Sequence, residues 1–146
     1  MVAKASHPFE ILLVEDNPAD VELLRVAFEE NRLKRNLRVA RDGEEAIKVL
    51  KDCGEAGEGT RPQLIFLDLN LPRKDGREVL SEIKADKRLR RIPVIVLSSS
   101  AADEDIDSAY DLQASCYITK PMNAQGYFDV VASIDEFWFS VVQLPS

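Results

Sequence analysis

The chain has little histidine or cysteine: His7 is its one histidine, and Cys53 and Cys116 are its two cysteines, with no Cys-x-x-Cys spacing in 146 residues. That argues against a zinc site of the Cys and His kind and against a disulfide framework. Both thiols are read as free in a reducing compartment, Cys53 at the surface and Cys116 packed beside a strand. Long apolar runs are also missing. None approaches the roughly 18 residues a membrane helix needs, and the first eight residues lack the apolar centre of a signal peptide. The cytoplasm is therefore the expected address, with no membrane partner. Positive charge is scarce, with 19 Lys and Arg against 26 Asp and Glu and a net charge of −7. Nucleic acid, whose phosphates want a basic surface, is not an expected partner. The densest basic group, Lys84, Lys87, Arg88, Arg90 and Arg91, falls at an expected helix end, where cations favour the helix dipole, and is read as a solvated face.

What is present is the composition of a folded domain, 45% hydrophobic and 31% charged. The whole chain is read as one domain with no output domain attached. Short apolar runs alternate with helical patterns, which implies strands joined by crossover helices and a parallel sheet. Strands are expected over 10–14, 37–40, 64–67, 93–97 and 115–118. The first, third and fourth are almost wholly apolar, as interior strands covered on both faces should be. Helices are expected from Asn17-Pro18 to about residue 31, after Asp42-Gly43, from near Gly76, over 103–112 and over 124–142. Asn, Asp and Pro punctuate their starts. The stretch 52–62, with three glycines, reads as a long surface loop.

In an open parallel sheet, ligands bind beyond the carboxyl ends of the strands. The residues just after the apolar runs are Glu15 and Asp16, then Asp68, then Ser98 to Ser100, then Lys120-Pro121. Three carboxylates gathered on one edge repel one another unless a cation compensates. Oxygen-only ligands point to Mg2+. Lys120 adds a point charge for a phosphoryl group, and serine hydroxyls after the fourth strand could donate to the same group. That is equipment for in-line phosphoryl transfer, where positioning and charge neutralisation dominate.

These motifs carry a resemblance. Leu12-Leu13-Val14-Glu15-Asp16-Asn17, Leu67-Asp68-Leu69-Asn70-Leu71-Pro72 with Asp75-Gly76, the run from Pro93 to Ser98, and Tyr117-Ile118-Thr119-Lys120-Pro121 together resemble a response-regulator receiver domain over about residues 9–142. The resemblance implies a doubly wound α/β fold, with five parallel strands in the flavodoxin-like order 2-1-3-4-5 and five helices. It implies Asp68 as the phosphoacceptor served by a histidine kinase, with Mg2+ held by Glu15, Asp16, Asp68 and the backbone carbonyl of Asn70. Ser98 and Lys120 would bind the phosphoryl group and Tyr117 would be the switch aromatic. The Lys120-Pro121 bond is expected to be cis. The changed surface would be the face of helix four, strand five and helix five. A narrower likeness, to the small regulators paired with cyanobacterial phytochromes, rests on residues 69–80, Arg91-Ile92-Pro93-Val94, Phe137-Trp138 and Leu144-Pro145. It implies a bilin-binding photoreceptor kinase as partner and a homodimer.

Two other classes were open to the residues. An aspartyl phosphohydrolase of the haloacid-dehalogenase kind wants a second acid two residues after its nucleophile, where this chain has Asn70. A degenerate binding module would not need the intact set of Glu15, Asp16, Asp68, Ser98 and Lys120. Phe137, Trp138 and Phe139 are consecutive, and successive helical side chains diverge by about 100°, so they cannot all face one core. Either the tail folds back over its own domain or an apolar face of Tyr110, Phe128, Val131, Ile134, Phe137 and Trp138 meets a second copy. Self-association is the expectation.

Overall fold

The computed structural model describes residues 9–30, 35–53, 61–138 and 143. Five strands alternate with five helices: β1 (Phe9–Val14), α1 (Pro18–Glu29), β2 (Arg35–Ala40), α2 (Gly43–Asp52), β3 (Leu64–Leu67), α3 (Gly76–Ala85), β4 (Val94–Ser98), α4 (Asp103–Asp111), β5 (Cys116–Thr119) and α5 (Ala124–Trp138). All pairings are parallel and the strand order is β2-β1-β3-β4-β5, the flavodoxin-like arrangement.

Strand periodicity sorts the core into two layers. Leu12, Val14, Ile65, Leu67, Val94 and Val96 face α2, α3 and α4, where Ala46, Leu50, Val79, Leu80, Ile83 and Ala109 meet them. Ile11, Leu13, Leu64, Phe66, Ile95 and Leu97 face α1 and α5, whose Val21, Leu24, Phe28, Tyr127, Val131 and Ile134 complete the second layer. Phe28 meets Phe66 edge to face at 5.7 Å. With both faces covered, the central strands have no polar side, which is why they read as continuous apolar runs.

Helix starts follow the local chemistry. Asn17 caps α1, its side chain accepting from the amides of Ala19 and Asp20 at 2.8 and 3.3 Å, with Pro18 in the first turn. Asp42 accepts from the amide of Glu45 at 2.8 Å. Asp75 and Glu78 form a reciprocal capping box on α3. Gly76 is required by space rather than by turn geometry: a Cβ there would lie 2.3 Å from the carbonyl oxygen of Asp68. Among the described residues no helix is long and apolar enough to cross a membrane.

Four expectations need correction. Cys53 is buried, 5% exposed, because the end of α2 brings it to β2, where Arg38 Nη1 donates to its Sγ at 3.3 Å. The Lys120-Pro121 bond is trans, the ordinary lower-energy form, as are all described peptide bonds. Val131 and Ile134 are not part of a surface face: with Tyr127 they form the inner stripe of α5 at positions i, i+4 and i+7, and they are 0% and 4% exposed. Strands four and five are each displaced by one residue toward the carboxyl end, to Val94–Ser98 and Cys116–Thr119. Residues 54–60 of the long loop, Phe139, Leu144-Pro145 and the end of the expected fifth helix lie outside the described residues.

Candidate functional site

The carboxyl ends of β1, β3, β4 and β5 gather their following residues at one edge of the sheet. Glu15 continues β1, its amide donating to the carbonyl of Ala40 at 3.0 Å, and Asp68 continues β3, its amide donating to Val14 at 3.0 Å. Backbone pairing thus places both acids side by side before any side-chain interaction is made. Glu15, Asp16 and Asp68 each offer an oxygen within 4.8 Å of the others, Glu15 and Asp68 buried and Asp16 exposed. Asn70 donates its backbone amide to Asp68 Oδ1 at 3.1 Å, closing the turn after the strand.

Lys120, one residue past β5, is fixed by its amide, which donates to the carbonyl of Ser98 at 2.7 Å. Its ammonium reaches Asp68 Oδ2 at 3.1 Å, Glu15 Oε1 at 2.9 Å and Asp20 Oδ2 at 2.8 Å. Burial by itself would lower the Lys120 pKa, but the hydrogen bonds it donates to Asp20 and Glu15 and the charge of Asp68 outweigh it and hold it above the usual lysine range. Glu15 moves up as well, to about 7, chiefly because burial disfavours its charge and also because Asp68 repels it; Lys120 opposes both.

Ser98 is buried at the end of β4, and its Oγ accepts from the amide of Ser100 at 3.3 Å. Tyr117 is half-buried: its hydroxyl donates to the carbonyl of Ser100 at 2.8 Å, and its amide donates to the hydroxyl of Tyr110 at 3.2 Å. The segment between β4 and α4 is held further by Ser100 Oγ donating to Asp105 Oδ2 at 2.5 Å and by Arg77 donating to Asp105 Oδ1. Ser100 and Arg77 keep the Asp105 carboxyl below its usual range.

Glu15, Asp16, Asp68, Asn70, Ser98 and Lys120 are therefore brought to one edge, with Tyr117 alongside. The expected surface aromatics are dispersed. Tyr110 on α4 is 48% exposed and Phe137 on α5 is 51% exposed, whereas Phe128 and Trp138 pack partly against the second core layer. Three further contributors lie outside the strand-end motifs: Asp20, Tyr127, whose hydroxyl donates to Asp20 Oδ1 at 3.1 Å, and the Arg77–Asp105 pair. Asp20 stands in the first turn of α1, and Tyr127 and Asp105 carry no signal beyond their helix positions.

A sheet of this order with an acid triad and a lysine at its carboxyl edge defines a class. The profile of the response regulator receiver domain matches residues 11–132, and the chain belongs to that family. It is thus a signalling protein rather than a conventional enzyme. Over all 146 residues it is 43% identical to response regulator Rcp1 of Synechocystis sp., spanning 99% of that protein. It is also 42% identical over 137 residues to the probable methanogenesis regulatory protein FilR2 of Methanothrix harundinacea, covering 94% of this chain and 88% of that one. Among solved structures, the phosphorylated cyanobacterial phytochrome response regulator RcpA superimposes with a TM-score of 0.89 at 49% identity, over 96% of this chain and 100% of that chain. The Mn2+-bound form of Rcp1 gives 0.87 at 45% identity, over 95% and 100%.

Proposed function

We propose that this regulator is switched by phosphorylation of Asp68, the phosphoryl group coming from a histidine kinase of the phytochrome photoreceptor type. One observation carries the reading: the Lys120 ammonium sits 3.1 Å from Asp68 Oδ2 at a place where three carboxylates share less than 5 Å. Such crowding is costly without a divalent cation. The donors are oxygens, which fits Mg2+, and Glu15, Asp16, Asp68 and the backbone carbonyl of Asn70 would hold it. When bound, the ion supplies neutralisation of charge on the phosphoryl oxygens. Rcp1 with Mn2+ and RcpA in phosphorylated form support the assignment by likeness.

The chain's own groups do the rest. A carboxylate oxygen of Asp68 attacks phosphorus, forming the O–P bond as the N–P bond to the kinase histidine breaks and the imidazole nitrogen leaves with the electron pair. Lys120 donates to the arriving oxygens, a role for which the hydrogen bond from its backbone amide to the Ser98 carbonyl pre-sets it. The Ser98 hydroxyl donates to the same group on moving out of its buried place, and Tyr117 leaves Ser100 to fill the space vacated. The face of α4, β5 and α5 changes in consequence, a bistable element of the kind switches use. The chain's catalysis is confined to its own phosphorylation and the later hydrolysis of the acyl phosphate. A homodimer through the apolar ground beside β5 and α5 is part of the same proposal. There Cys116, Ile118, Val130, Phe137 and Trp138 line a groove of about 410 Å³ together with Asp129, Ser133 and the nearly buried Ile134.

Beryllofluoride with Mg2+ should bind and perturb Tyr117, and Asp68→Asn should accept no label from the cognate kinase while keeping its circular dichroism. Label retained by that variant would overturn the assignment.

A further inference from the structure

Lys120 has three N–H donors, and each meets a different carboxylate: Asp20 Oδ2 at 2.8 Å, Glu15 Oε1 at 2.9 Å and Asp68 Oδ2 at 3.1 Å. The shortest of the three contacts is to Asp20. This residue belongs to none of the strand-end motifs; it sits in the first turn of α1, and its side chain is 17% exposed. Its other oxygen, Oδ1, accepts from the hydroxyl of Tyr127 at 3.1 Å. Tyr127 is 3% exposed and lies in the core layer between the sheet and α5, so its ring has no freedom to follow a moving carboxylate. Burial and the Asp20 charge push its phenol up to about 12, which keeps it a hydrogen-bond donor at neutral pH.

We propose that Asp20 is a positioning residue for phosphoryl binding: anchored by Tyr127, it orients the Lys120 ammonium toward the phosphoacceptor, so that the α1–α5 contact is part of the switch. The inference rests on the phosphoacceptor reading of Asp68. A lysine has four rotatable side-chain bonds to fix, and a long side chain held at only one edge would sample other directions. Contacts to Glu15 and Asp68 alone come from the sheet side. Asp20 reaches the ammonium from the helix layer and completes a three-point hold. When a phosphoryl oxygen arrives, Lys120 can turn one donor to it while Asp20 retains another, and any shift of the ammonium reaches Tyr127 on α5 through Asp20. Helix α1 packs against α5 along this contact, which gives the coupling a continuous physical route separate from the one through Ser98 and Tyr117.

The variants are Asp20→Ala, Asp20→Asn and Tyr127→Phe in the full chain. Asparagine can keep both contacts, its carbonyl oxygen accepting from Lys120 and its amide donating to the Tyr127 oxygen. Beryllofluoride affinity, measured in saturating Mg2+, should fall by about tenfold or more in Asp20→Ala, stay close to wild type in Asp20→Asn, and fall by a lesser amount in Tyr127→Phe. In the metal-free protein the Lys120 ammonium should give a resolved NMR cross-peak in wild type and Asp20→Asn that broadens away in Asp20→Ala, with unfolding midpoints serving as the control for a merely structural effect. Unchanged affinity in Asp20→Ala would overturn the inference. So would tighter binding in both Asp20 variants, which would make Asp20 a competitor for the ammonium, or equal losses in both, which would assign the effect to charge. Failure of the wild-type chain to bind beryllofluoride would instead remove the phosphoacceptor reading, leaving the ammonium signal to judge Asp20 by itself.

Discussion

Glu15 is only 1% exposed, and a carboxyl so enclosed favours its protonated form. Between its ordinary value of 4.5 and its folded value of about 7, the folded chain holds one more proton at this group than the unfolded chain does. Its contribution to stability is full below pH 4.5 and is lost as the pH rises through about 7. In chelator, the stability difference between wild type and Glu15→Gln should therefore move against wild type across that window; a flat difference would remove the shift. A second residue-scale constraint is Gly76, whose missing side chain leaves room for the Asp68 carbonyl. Gly76→Ala should cost about 1–3 kcal/mol in a denaturant titration and displace Asp68, since the intruding Cβ would meet backbone at 2.3 Å. Glu15, Asp16, Asp68, Ser98 and Lys120 were legible because each lies within two residues of the end of an apolar run, and strand ends in a parallel sheet share one edge. Asp20 and Tyr127 were hidden, because they meet only through the packing of α1 on α5, and no local spacing encodes a contact separated by 107 positions.

Elements were readable in their interiors and blurred at their ends. The apolar cores of β1, β3 and β4 stand out because both faces are buried, whereas β5 is less buried and its pattern weaker; the limits of both β4 and β5 lie one residue later than the apolar runs suggest, because pairing continues into Ser98 and Thr119. The divergence expected of the consecutive aromatics on α5 is present, but Val131 and Ile134, expected on the outer apolar face, fall with Tyr127 in the inner stripe, and Phe137 is turned away. Composition alone could not make that division. Helix α4 has no side-chain cap at its start, although Asp103, Glu104 and Asp105 suit its dipole. At its far end Gln113 takes φ 74°, and its amide donates to the carbonyl of Tyr110 at 2.9 Å. A left-handed conformation costs a side-chain-bearing residue about 1–2 kcal/mol, and glycine gives back about 0.5–1 kcal/mol of this through unfolded-chain entropy. Gln113→Gly should thus raise stability by a few tenths to about 1 kcal/mol with no change in beryllofluoride affinity, measured by thermal unfolding and by titration.

At the scale of the whole molecule, two apolar layers cover the sheet, and among the described residues one stretch of open apolar surface lies at the edge beside β5. Phe137 and Trp138 stack edge to face at 5.5 Å there, beside the groove against Cys116 and Ile118. If a second copy covers that ground, Phe137→Ala should weaken association by about tenfold or more in light scattering across a dilution series. A monomer with and without beryllofluoride would remove self-association. The order of strands has a last implication. Both Ser98 and the backbone of Lys120 belong to the β4–β5 ladder, and β5 has a neighbour on one side only. A tug on that outermost ribbon disturbs a single seam, so the groups that would sense the phosphoryl ride on the portion of the sheet that can flex while β1 and β3 keep the acids still.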